Sequence, residues 1–256
     1  QDKTAPERLI PTLLNDPSLE LRREAVQKAL DDAAKISAKE TAVKMYYNAF
    51  TASRDLDQIK AASAKLKDFG ESPDVPTHMG YIIGWKLLGP FDNVGDGGWD
   101  TAYPPEQGID LTKSYSGQKD EIRWINHVTT DEFGVVDLTK ALDKHKGAVT
   151  YAYAEFIAAK AQPADFRLGS INATKLWVNG KEISANHVYH AGMQIDQYIG
   201  KGELKEGKNT ILVKVCQNEQ KEAWAQDWKF QLRVCDKIGT AILSTRDLDP
   251  GSGVGP

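Results

Sequence analysis

Between Asp16 and Gly70 apolar side chains recur at the spacing that places them on one face of a helix. Asp16-Pro17 offers a capping side chain followed by proline at a first helical position, and Leu19, Val26, Leu30 and Ala33 then share a face. A second helix is predicted from the capping box Ser37-x-x-Glu40 and carries Val43, Tyr46, Tyr47 and Phe50, with the tyrosine pair in the core. A third runs from about Asp55 through Ile59, Ala62, Leu66 and Phe69 and stops at Gly70, a residue suited to the position past a helix end. With Leu9, Ile10, Leu13 and Leu14 ahead of them, these segments predict an antiparallel stack of short helices.

Beyond Val75 the period changes to alternation cut by Gly, Asn, Asp and Pro, the pattern of strands and turns. Strands are predicted over 80-88, 122-128, 148-158, 164-169, 174-178, 181-185, 194-199, 208-216, 228-235 and 239-244. Asn179-Gly180 supplies the two positive φ angles of a type I′ turn, which pairs Val178 with Lys181, Trp177 with Glu182 and Leu176 with Ile183. That register sends Leu176 and Ile183 to the core and Trp177 to the other face, as a platform for a sugar or packed beneath a loop or the helices. Residues 210-216 and 228-235 are read as a long hairpin whose apolar faces meet one core. The fold class is therefore α+β multidomain: a small all-α segment (1-75), an all-β sandwich (76-246) and a flexible tail (247-256).

Composition sharpens that division, because the chain up to Val75 has one glycine and no tryptophan while the remainder holds 20 glycines and all six tryptophans. A formal charge of -4 across 256 residues argues against nucleic acid, and no apolar run is long enough for membrane insertion. Gln1 begins no signal-like stretch, so either a leader has been removed or none existed. Two cysteines are too few for a disulfide scaffold or a zinc site. In the proposed hairpin Cys216 and Cys235 would stand about 23 Å apart at ~3.3 Å per residue, beyond disulfide reach, so both are expected as free thiols.

The segment Leu13-Leu14-Asn15-Asp16-Pro17 with Leu21-Arg22-Arg23-Glu24-Ala25-Val26 resembles one HEAT repeat. Gly89-Pro90-Phe91-Asp92-Asn93, Tyr103-Pro104-Pro105-Glu106, Arg167-Leu168-Gly169-Ser170, Leu176-Trp177-Val178-Asn179-Gly180-Lys181 and Lys208-Asn209-Thr210-Ile211-Leu212-Val213-Lys214-Val215 occur in an order that resembles the galactose-binding-like jelly roll. That domain follows helical repeats in secreted multidomain proteins of planctomycete-type bacteria. The resemblance implies an extracytoplasmic, non-catalytic module, with carbohydrate binding as the leading role and a structural or protein-interaction domain as the alternative. The Asn-Gly hairpin also resembles that of protective-antigen-type lectin domains, where a calcium-binding Asp-Asp-Gly precedes it; this chain has Ile171-Asn172-Ala173 there.

Three clusters are candidates for chemistry. The amide- and acid-rich loop after Cys216 contains Asn218, Glu219 and Trp224, and a sugar site would take these with Asn172, Tyr189 and His190 as neighbours. Asp92, Asp96 and Asp100 in a glycine-rich loop are candidate calcium ligands that Glu106 would complete, although the spacing is not that of an EF-hand. Asp196 stands where it would orient a histidine of the His187-Val188-Tyr189-His190 run. No nucleophile elbow or phosphate loop is present, and Glu155, Glu219 and Asp227 are the acids to inspect for glycoside hydrolysis. The partners implied are a glycan or another protein domain.

Overall fold

The computed structural model describes residues 9–245, so the expected flexible end lies outside the described residues. Two compact units emerge: one holds the chain up to Met79 together with Ile238–Thr240, the other Gly80–Lys237 together with the chain from Ala241 onward.

The helical unit contains α1 (Leu19–Ala33), α2 (Lys39–Ala52), α3 (Leu56–Asp68) and the short α4 (Val75–Met79). α1 packs on α2 and α2 on α3 through the predicted stripes, burying Val26, Leu30, Tyr46, Phe50, Ile59 and Leu66, although Leu19, expected in the first stripe, is exposed at the start of α1. Tyr46 meets Phe69 and Phe50 meets His78, whereas Tyr47 is half-buried with its hydroxyl on Glu71. Two expected starts move. Ser18, not Asp16, caps α1, its Oγ accepting from the Leu21 amide, because the Asp16 carboxylate is taken by the Ser18 amide at 2.8 Å. Ser37 caps nothing: α2 begins after Ala38 without a side-chain cap. The end of α3 is as predicted, with Gly70 at φ 86° and the Glu71 and Gly70 amides returning to the Leu66 and Lys67 carbonyls.

The second unit has β1 (Gly84–Asp92), β2 (Ser114–Ser116), β3 (Glu121–Arg123), β4 (Ile125–Val128), β5 (Val136–Asp137) and β6 (Ala148–Ala158). It continues with β7 (Gln162–Ser170), β8 (Ala173–Val178), β9 (Lys181–Asn186), β10 (Tyr198–Leu204), β11 (Gly207–Gln217) and β12 (Lys229–Cys235). One antiparallel sheet runs β4-β1-β6-β11-β8-β9 and a second β10-β7-β12-β5, with β2-β3 as a separate ribbon. A single apolar cluster takes Leu87, Leu176 and Val213 from the larger sheet and Phe166, Phe230 and Leu232 from the smaller. The two sheets therefore form a β-sandwich around it.

The long hairpin does not form. β11 bonds to β6 and β8, while β12 bonds to β7 and β5 in the other sheet. The connecting loop is long enough to change sheets, and both strands alternate because their inner faces reach the same core. Cys216 and Cys235 are free and buried, held apart by lying in different sheets rather than at two ends of a hairpin. Residues 239-244 make only an isolated bridge from Ala241 to Cys235, and the predicted strand 194-199 shifts to β10. Asn179 (φ 52°) and Gly180 (φ 78°) turn as predicted, and the first two pairs hold, but a bulge then sets Leu176 opposite Ser184.

The larger sheet is also covered on its outer face. Phe91, Tyr151, Tyr153 and Leu212 pack there beneath Trp99 and Ile122 from the segment joining β1 to β4. Trp177 joins this cluster of its own unit, partly buried. Fully buried Lys214 pins the cover: its Nζ donates to the Trp99 and Thr101 carbonyls at 3.1 and 2.8 Å and to Glu106 at 2.8 Å. Tyr151 donates a second hydrogen bond to that carboxylate.

Candidate ligand-binding site

The loops leaving β1, β9 and β11 converge at one end of the sandwich. The Gly95 amide donates to Glu219 Oε2 at 2.8 Å, and the Gly147 amide donates to the Asn218 carbonyl at 3.0 Å. Buried Asn93 donates to the Tyr189 hydroxyl at 3.2 Å and to the Gln217 carbonyl at 3.1 Å. Tyr189 in turn donates to Asp96 Oδ1, and His187 Nε2 lies against Asp96 Oδ2, both at 2.5 Å. Burial and then the Asp96 hydrogen bond push the Tyr189 phenol up, so it remains a donor through ordinary pH. The His187 ring stacks flat on Trp99 at 4.3 Å, and Lys175 Nζ stands 4.6 Å from the Trp99 ring.

Trp224 projects from this scaffold. It sits in a 3-10 turn, Ala223–Ala225, with 61% of its surface exposed, the highest fraction among the large exposed hydrophobic residues described. The turn is tied down from beneath: the Ala225 carbonyl accepts from Lys146 Nζ at 2.7 Å and from Gln217 Nε2 at 3.2 Å. Gln226 Nε2 closes it from the other side on the Lys221 and Glu222 carbonyls. His190 stands edge-on to the indole at 5.0 Å, and its Nε2 lies 3.1 Å from Asn218 Oδ1.

No protein-family model matches the chain, and no curated protein matches it. Among solved structures, an anti-sigma factor domain-containing protein is similar at 12% identity and TM-score 0.38 over 64% of this chain and 47% of that one. A β-glucosidase from Kluyveromyces marxianus in complex with glucose gives 17% identity and TM-score 0.32 over 43% of this chain and 14% of that one. A family 35 carbohydrate binding module from Clostridium thermocellum gives 12% and 0.26 over 34% of this chain and 71% of that one. The chain thus spans less than half the length of the first two, and these are partial overlaps at low identity; the sandwich is established by its own strand pairing.

Of the residues singled out in the sequence, Asn218, Glu219, Tyr189, His190, Trp224 and Asp96 come together here. Asn172 does not. It is fully buried, donating to Gln217 Oε1 at 2.8 Å and accepting from the Lys229 amide at 3.0 Å, so it clamps β8 to the start of β12 and has no surface for a ligand. The calcium set is not assembled either. Asp92 accepts from the Val94 amide, Asp96 spends both oxygens on Tyr189 and His187, Asp100 is exposed on the following helical turn, and Glu106 is held by Lys214 and Tyr151. Among the described residues no group of three or more His, Cys, Asp or Glu could hold a metal ion. Asp196 orients no histidine; it binds Arg233 and Arg167. The inspected acids are engaged by different partners: Glu155 by Lys208 at 2.5 Å, Asp227 by Lys229 at 3.0 Å and Glu219 by the Gly95 amide at 2.8 Å.

Asn93, Gln217 and Trp99 were not singled out in the sequence, yet they hold the loop end together. Their signal is tertiary, since each acts on a residue far along the chain.

Proposed function

We propose that this chain is a non-catalytic carbohydrate-binding module acting outside the cytoplasm, a galactose-binding-like jelly roll joined to a HEAT-like helical segment. The carrying observation is Trp224: a largely exposed indole on a turn whose backbone is held by side-chain hydrogen bonds to the Ala225, Lys221 and Glu222 carbonyls, with the His190 ring edge-on to it. A backbone held in this way lowers the conformational entropy lost when a pyranose stacks on the ring. Asn218 and Glu219 follow each other in the same loop, and His190 stands beside the indole. The Asn218 amide already bonds Gln220 and His190, and Glu219 Oε2 accepts from the Gly95 amide, so a hydroxyl would take their remaining hydrogen-bonding capacity. Tyr189 supports the site from below through Asp96 and Asn93 rather than touching the ligand. Among the described residues no helix is long and apolar enough to cross a membrane.

The test is binding of the purified chain to a broad glycan array, in calcium and again in chelator. Selective binding of equal strength in both buffers is expected, falling at least tenfold, about 1.4 kcal/mol, in Trp224→Ala. Silence across the array in both buffers overturns the reading and leaves a protein-interaction domain as the role to pursue.

A further inference from the structure

A groove of about 650 Å³ lies on the outer face of the larger sheet. It is distinct from the loop end: its floor uses Lys208, Thr210 and Leu212 at the start of β11, whereas the loop end begins past Gln217, about 16 Å further along at ~3.3 Å per residue. Strand register sets out the floor in rows. Leu212 pairs with Tyr153 on one side and Trp177 on the other, making an apolar and aromatic row across three strands. Two residues along, on the same face, Thr210 pairs with Glu155, and Lys208 follows.

One wall is the turn Pro104–Gln107 with residues 108–111 after it. It is fixed in place because Glu106 is anchored on buried Lys214 and on Tyr151. The lining holds three carboxylates and one ammonium, and each carboxylate has a lysine partner. Glu155 pairs with Lys208 at 2.5 Å within the groove, while Glu106 pairs with buried Lys214 at 2.8 Å and Asp110 with Lys113 at 3.3 Å, both lysines lying outside the lining.

We propose that this groove is a second carbohydrate site, selective for a neutral glycan. A pyranose offers an apolar C–H face and a rim of hydroxyls, and the floor offers an aromatic row beside a row of carboxylate, hydroxyl and ammonium groups. A charged sugar would set its own charge against one member of each ion pair, so an uncharged ring fits best. The site shares with the preceding reading only the class of ligand and does not depend on Trp224.

Affinity electrophoresis of the intact chain tests it, with soluble xylan, β-glucan and galactomannan as neutral probes and polygalacturonate as the acidic one. Three variants separate the sites: Trp177→Ala, Gly108→Trp and Trp224→Ala. Trp177 is partly buried and its loss could disturb the sheet, whereas Gly108 has extended backbone (φ 168°) and open space where a side chain would point, so Gly108→Trp obstructs the groove without removing a contact. Retardation by a neutral polysaccharide is expected, with affinity falling at least tenfold in Gly108→Trp and in Trp177→Ala and retained in Trp224→Ala. Retardation unchanged in Gly108→Trp, or given by polygalacturonate alone, overturns the groove. Loss only in Trp224→Ala would do so while leaving the loop-end site standing, loss confined to the groove variants is the result the groove requires and leaves the loop-end site to the glycan array, and silence with every probe overturns the groove.

Discussion

Lys214 and Asp196 are the charged residues on which each outer face of the sandwich turns. Lys214 is fully buried yet has three oxygen partners, which is how an ammonium survives beneath a loop. Asp196 lies between Arg233, which is almost fully buried, and Arg167, accepting from them at 2.5 to 2.9 Å. Burial alone would raise its pKa; the hydrogen bonds and charge of Arg233, then those of Arg167, outweigh burial and hold it below the ordinary value near 3.8. Its stabilisation is thus complete above that ordinary value and is lost as pH falls through the lower folded one. Asp196→Asn, which leaves two guanidiniums facing each other, is expected to cost about 3 kcal/mol in urea unfolding at neutral pH. The wild-type loss on acidification should be correspondingly shallower in that variant. The two thiols give a second residue-scale prediction. Burial pushes Cys216 up to about 12 and Cys235 up to about 11, so neither should react with an aromatic disulfide reagent at pH 8 until the chain is denatured, when both should.

Among the elements, helix interiors, tight turns and the start of α3 near Asp55 were legible, and the capped starts of α1 and α2 were not. The stripes Val26-Leu30, Tyr46-Phe50 and Ile59-Leu66 are buried as their spacing requires, because period and face are properties of the local chain. The cap of α1 moved because Asp16 has a neighbour, Ser18, able to take the start, whereas α2 begins after Ala38 with no side-chain cap. Gly70 is different: its φ of 86° is demanded by the way α3 ends. Gly70→Ala is expected to destabilise the helical unit by about 1 kcal/mol, measured by urea unfolding at 222 nm. The Asn179-Gly180 turn was equally local, but the bulge beyond it was not, since a bulge depends on what Ile183 packs against.

At the scale of the whole molecule, all six tryptophans belong to the sandwich unit and none to the helical one. Indole fluorescence therefore reports the sandwich, and ellipticity at 222 nm chiefly reports the helices. Asp196→Asn should lower the unfolding midpoint read by fluorescence, and Gly70→Ala the midpoint read by ellipticity; the reverse assignment would contradict the division into units. Asn218, Glu219, Tyr189 and His190 were legible as site candidates because amides, acids and aromatics clustered in turn-rich sequence. Asn172 was misread because nothing in Ile171-Asn172-Ala173 reveals that its amide reaches Gln217 and Lys229, far along the chain.

The sequence by itself determined where helix gives way to strand, which faces are apolar and where the Asn-Gly turn falls, since each is set by neighbours within a few residues. Only the tertiary structure decided that β11 and β12 part into opposite sheets, that Lys214 holds a cover over the larger sheet, and that Trp177 lies in one groove while Trp224 stands at another end. Those outcomes depend on hydrogen bonds and packing between residues distant in sequence, and alternation, identical for a hairpin and for two strands facing one core, carries no record of them.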